Sequence, residues 1–105
     1  KTSRIIPVEK IACPVLLLAG EDDLIWPSAR YVLDVQKRLD EHRSPIARKV
    51  LIYPNAGHGI LAPYPGGIYH PQGKFWCALG GSLDGNNAAY ESSWFELIQF
   101  ITFSL

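Results

Sequence analysis

Continuous apolar runs alternate with amphipathic stretches along this chain, and their order sets the class of fold. "PVLLLAG" at 14–20 is apolar at consecutive positions and ends on a glycine. A strand with one wet face would alternate; a run apolar on both faces is what a buried parallel strand requires. "PSARYVLDVQKRLDEH" follows, with Val32, Val35 and Leu39 at i, i+3 and i+7 and charges between them. That spacing predicts an amphipathic helix opened by Pro27 and Ser28. "RKVLIYP" is a second short apolar strand. From Asn55 to about Asn86 the chain is rich in Gly, Pro, Tyr and His with little periodicity, which predicts loop. Trp94, Leu97, Ile98, Ile101 and Leu105 fall at i, i+3, i+4, i+7 and i+11. They predict a last helix with this stripe facing a core, capped by Asn86 or Asn87.

Strand, helix, strand, long loop, helix is the order of an α/β fold with parallel strands and right-handed crossovers. Two parallel strands lack partners on their faces and outer edges, so they do not make a stable sheet alone. Residues 1–13 also begin without a cap or turn. The expectation is the C-terminal part of a larger α/β protein, incomplete as a domain, or a chain that gains its missing strands by association.

Composition narrows the partners. The 105 residues are 48% hydrophobic, enough for one small core. Ten basic and ten acidic side chains leave no net charge, which argues against nucleic-acid or polybasic membrane partners. "QKRLDEHR" reads as a solvated helix face. Neither "CPVLLLAG" nor "FELIQFITFSL" approaches the roughly 18 uninterrupted apolar residues of a membrane span. No leader pattern opens the chain, so a soluble, cytoplasmic protein is expected, with Cys13 and Cys77 as free thiols. No metal-ligand spacing occurs and no cofactor is expected.

Ligand sites in open parallel sheets lie at the carboxyl ends of the strands. Here those ends carry "GEDDLIWPS" and "NAGHGIL". An acid after one strand and His58 after the next would face one crevice, where a carboxylate can hold the imidazole by its Nδ1–H. Asp followed by His, with the nucleophile still earlier, is the chain order of the α/β-hydrolases. Spacing leaves Asp22 and Asp23 both open as the acid, and either could instead form a turn or cap the helix. Gly57 and Gly59 flank His58 and would let the backbone turn it into the site.

Three blocks carry a more specific likeness: "IPVEKIACPVLLLAGEDDLIWPS", "YPNAGHG" with "PYP" close behind, and "GGSLDGNNAAYESSWFELIQFI". Over nearly the whole chain these resemble the C-terminal segment of the acyl-CoA thioester hydrolase and bile acid-CoA:amino acid N-acyltransferase family, which has the α/β-hydrolase fold. The resemblance implies that the catalytic acid is the second of the paired aspartates, Asp23, and that His58 is the catalytic histidine. It implies an acyl-CoA or other acyl ester substrate, and a Ser or Cys nucleophile on an elbow upstream of Lys1. No G-x-S-x-G or G-x-C-x-G occurs in the sequence. Ser82 in "GGSLDG" has Asp84 where an elbow needs a small residue and no strand before it, so it reads as a loop residue.

Trp26 and Tyr64 are the candidate substrate-lining residues, with Tyr69 and His70 in the same loop as Tyr64. Cys13 precedes a strand, at the wrong end for a site, and Cys77 reads as packing. Two other readings stand beside the thioesterase one. The first is another hydrolase of this fold, a dienelactone-hydrolase-like esterase or a peptidase. The second is an inactive, self-associating chain that keeps only the edge of the fold.

Overall fold

The computed structural model describes residues 5–61, 69–72 and 75–104. The two apolar runs form strands β1 (Val15–Gly20) and β2 (Arg48–Tyr53), paired in parallel from Val15 opposite Arg48 to Gly20 opposite Tyr53. Backbone bonds continue past both ends: the Val15 N–H donates to the Ala47 carbonyl at 3.0 Å and the Glu21 N–H to the Tyr53 carbonyl at 2.9 Å. The two segments that follow the strands therefore leave the sheet side by side.

Between them runs α1 (Ser28–Glu41), which buries Val32 and Leu39 as its spacing predicts. Pro27 stands at its N-cap and Ser28 is its first residue. The segment before β1 is tied to α1 by a two-bonded pair in which Arg38 donates to Glu9 at 2.6 and 3.0 Å. Arg38's bonds, helped by its charge, hold the Glu9 carboxyl down at about 2.

The stretch read as loop contains a hairpin, β3 (Tyr69–Gln72) and β4 (Phe75–Ala78), antiparallel with Tyr69 opposite Ala78 and Gln72 opposite Phe75. Pro71, glycines and four-residue strands concealed it, since a proline weighs against a strand and so short a run has no readable period. A strand thus does precede Ser82, and Cys77 lies in β4 rather than in a loop.

The last helix, α2, spans Leu83–Ser104. It starts earlier than expected, and its cap is Ser82: the Gly85 N–H donates to Ser82 Oγ at 3.0 Å. Asn86 and Asn87 lie inside the helix. The face it buries also differs from the expected stripe. Asn86, Ala89 and Ser93, at i, i+3 and i+7, are buried, whereas Ile98 and Ile101 are 58% and 53% exposed. Trp94 and Leu97 are half-buried, and Leu105 lies outside the described residues. Small side chains let the helix approach closely, and polar contacts dock it. Ser93 Oγ donates to the Ile60 carbonyl at 3.1 Å, Tyr53 and Ser92 share a hydroxyl bond of 3.0 Å, and Lys49 pairs with Glu96 at 2.6 Å. With Phe95 and Phe103 also exposed, the C-terminal half of α2 is apolar on most sides. Periodicity found its existence but could not choose its inner face.

Candidate active site

Three segments meet above the carboxyl ends of β1 and β2. The acid loop after Gly20 and the histidine loop after Tyr53 emerge from neighbouring strands, and residues 79–82, just before α2, lie against both. Isolated bridges pair Asp23 with Gly80 and Ala56 with Gly81. The Leu79 carbonyl accepts from both loops, from the His58 N–H at 2.9 Å and from the Leu24 N–H at 3.3 Å. One carbonyl thus fixes the backbone of His58 and of the residue after Asp23.

Gly80 and Gly81 have φ of +89° and +79°, the left-handed region that favours glycine. A Cβ on Gly80 would stand 2.0 Å from the Asp22 carbonyl oxygen. Gly57 and Gly59 differ from expectation. Neither has positive φ; Gly57 is required by close approach, its Cβ falling 2.4 Å from the Gly80 carbonyl oxygen, while a Cβ on Gly59 would meet only Leu79 at 3.5 Å.

His58 Nδ1 lies 3.0 Å from Asp23 Oδ2. The other bonds of Asp23 explain why its carboxylate is fixed. Oδ1 accepts the Ile25 and Trp26 N–H groups at 2.8 and 3.0 Å, and Oδ2 also accepts the Ser28 hydroxyl. Its side chain is only 3% exposed. Burial by itself would raise the Asp23 carboxyl, but the donors from Ser28, His58, Trp26 and Ile25 outweigh it and hold the group below its ordinary value. An ionised carboxylate has no proton to give, so the hydrogen between the pair belongs to Nδ1 and the basic lone pair of the neutral imidazole sits on Nε2. Asp22 faces elsewhere, its Oδ2 accepting the Gly81 N–H at 2.9 Å.

Trp26 stands edge-on to the imidazole, with ring centroids 5.5 Å apart and planes at 84°. Both line a cavity of about 300 Å³ whose other walls include Leu18, Tyr31, Val32 and Ile60. An apolar hollow with an imidazole and a carboxylate at one side suits an apolar ligand whose polar centre lies at the histidine. Tyr64 lies outside the described residues, and Tyr69 and His70 are in β3. Ser28, Gly80, Gly81 and Asn86 were not among the sequence candidates. The adjacent glycines ahead of a helix were the available signal, together with an asparagine three residues before an inward alanine.

Among the described residues no cluster of three or more His, Cys, Asp or Glu could hold a metal, and no helix is long and apolar enough to cross a membrane.

Comparison with known proteins places these features in a family. Residues 1–105 match the family described as BAAT / Acyl-CoA thioester hydrolase C terminal. Three Mus musculus proteins are similar. Peroxisomal succinyl-coenzyme A thioesterase is 32% identical over 90% of this chain and 23% of its own length. Acyl-coenzyme A amino acid N-acyltransferase 1 is 35% identical over 95% of this chain and 24% of its own. Acyl-coenzyme A thioesterase 5 is 33% identical over 91% of this chain and 23% of its own. The chain thus spans about a quarter of the length of these relatives. One of them is named for the peroxisome, so a cytoplasmic location does not follow from the family. The match over the whole sequence bears out the resemblance carried by the three blocks: the chain belongs to the BAAT / acyl-CoA thioester hydrolase C-terminal family.

Proposed function

We propose that this chain supplies the acid and the base of a nucleophile–His–Asp triad acting on an acyl-CoA thioester. The observation that carries the reading is the 3.0 Å contact from His58 Nδ1 to a buried, four-donor Asp23, beside an apolar cavity. The serine or cysteine nucleophile and the rest of an α/β-hydrolase sheet come from sequence outside these 105 residues. His58 Nε2 removes the nucleophile's proton as it attacks the thioester carbonyl, and Asp23 stabilises the resulting imidazolium. The imidazolium then delivers that proton to the departing CoA thiolate, leaving an acyl-enzyme. Water or an amino-acid amine attacks the acyl-enzyme next; His58 takes its proton and passes it to the departing serine or cysteine, whose bond to the acyl group breaks and releases the acid or amide. The names of the relatives include both outcomes, thioesterase and amino acid N-acyltransferase. Trp26 walls the acyl side of the site.

The test is His58→Ala in the full natural protein, assayed on saturated acyl-CoA thioesters of increasing chain length. The expected loss in kcat is roughly 10⁴-fold with KM little changed. Retained turnover would remove His58 from the chemistry and leave "NAGHGIL" as a turn.

A further inference from the structure

We propose that Asn86 is a positioning residue that, beside the Leu79 carbonyl, keeps His58 and Asp23 in register, one buried amide stapling the base loop to the segment that pairs with the acid. This rests on the triad reading above. Asn86 is 4% exposed and sits one turn into α2. Its Oδ1 accepts the Gly57 N–H at 2.8 Å, and its Nδ2 donates to the Gly80 carbonyl at 3.2 Å. Gly57 is the residue before His58, and Gly80 is bridged to Asp23.

Both bonds are buried, so removing the amide strands an N–H and a carbonyl that must move to find other partners. The loops have little room to give. A Cβ on Gly81 would lie 2.3 Å from Asn86 Oδ1, and one on Gly57 would lie 2.4 Å from the Gly80 carbonyl oxygen. The chain crossing is packed around the amide itself. A side chain with only an acceptor or only a donor would satisfy one loop and release the other. Asn supplies both from one planar group, which accounts for a poor helix former inside the first turns of α2. When the crossing loosens, the His58 backbone shifts relative to Asp23 and the 3.0 Å imidazole–carboxylate bond lengthens.

The experiment compares variants of the full natural protein by kinetics on an acyl-CoA thioester and by the downfield proton resonance of the His58 Nδ1–H. Asn86→Ala is expected to lower kcat per active site about 10- to 100-fold with KM within about twofold, and to abolish the resonance. Asn86→Asp keeps the acceptor for Gly57 and is expected to fall between Asn86→Ala and wild type. Ser92→Ala, which removes only the hydroxyl bond to Tyr53, serves as the structural control: a lower Tm with wild-type kcat and resonance. Wild-type kcat and resonance in Asn86→Ala would overturn the proposal while leaving the triad reading intact. If Asn86→Ala does not fold, Asn86→Asp decides, and an undiminished resonance there overturns it. If His58→Ala stays active, the triad reading falls; the resonance of Asn86→Ala then judges the staple alone, its loss supporting it and its persistence overturning it.

Discussion

At the scale of single residues, the two adjacent aspartates turn the same functional group to different partners. Sequence spacing left Asp22 and Asp23 level, because two neighbours on a turn differ only in the direction their side chains take. In the fold, Asp23 turns toward His58 and Asp22 toward the Gly81 N–H. Asp23→Asn should leave the fold intact but favour the wrong imidazole tautomer, with a loss in kcat of up to about 10⁴-fold. Asp22→Asn should stay within about tenfold, because an amide oxygen still accepts from Gly81. Parallel kinetics of the two variants check this, and a crippled Asp22→Asn would put the acid one residue earlier. The sequence pattern marks Ser28 only as a helix start, since its hydroxyl acts across five residues of an irregular turn that no period describes. Its bond to Asp23 is one reason that carboxyl lies below its ordinary value. A carboxyl depressed in the folded state contributes stability above its unfolded value near 3.9, lost as pH falls through the folded value. Ser28→Ala should therefore move the Asp23 titration upward, seen in the carboxyl carbon shift, and begin acid unfolding at higher pH.

At the scale of elements, what a period can express was legible and what depends on the neighbour was not. β1, α1 and β2 were readable because a parallel strand apolar at consecutive positions and an amphipathic helix each impose a pattern on sequence, although most side chains of the two strands are only half-buried among the described residues. The inner face of α2 was not readable, because an apolar stripe states affinity for some apolar surface without saying that Asn86, Ala89 and Ser93 face the histidine loop. Nor did "LGGS" announce that it bridges the two site loops, since that depends on contacts with residues more than 20 positions away. The bridge gives a paired prediction on glycines that look alike in sequence. Gly80→Ala must hold a side chain at φ +89° and 2.0 Å from the Asp22 carbonyl oxygen. It should lose at least about 1–3 kcal/mol in denaturant unfolding of the full natural protein. Gly59→Ala, whose added methyl meets only Leu79 at 3.5 Å, should unfold within about 0.5 kcal/mol of wild type. Equal losses at both positions would mean that residues 79–82 do not brace the site.

At the scale of the whole molecule, the question is how much of this architecture the 105 residues can sustain by themselves. Among the described residues the parallel sheet has two strands, so each has one edge without a ladder partner. The buried apolar residues are small or few: Ala19, Val32, Leu39, Ala56, Ile60 and Ala89. Large apolar side chains face outward, with Ile6 75%, Phe95 61% and Phe103 78% exposed. A second apolar hollow, about 520 Å³ between Ile5, Ile6, Val8 and α1, lies away from the dyad. A protein of this size gains its few kcal/mol of net stability from burial, and here much of the material for burial is spent on no partner. Unpaired edges of apolar strands add a route to association. The isolated 105-residue chain is therefore expected to sediment as a mixture of associated species, to unfold over a broad range of denaturant, and to show no acyl-CoA turnover. On the proposed triad reading, supplying the nucleophile-bearing strands of a hydrolase sheet, covalently or as a co-expressed chain, should restore a single species with a sharp transition. The decisive measurement is sedimentation velocity with denaturant unfolding on the isolated chain. A single monomeric boundary with a cooperative transition would mean that two strands, two helices and the docking bonds of α2 suffice, and that the outward apolar faces are tolerated rather than waiting for neighbours.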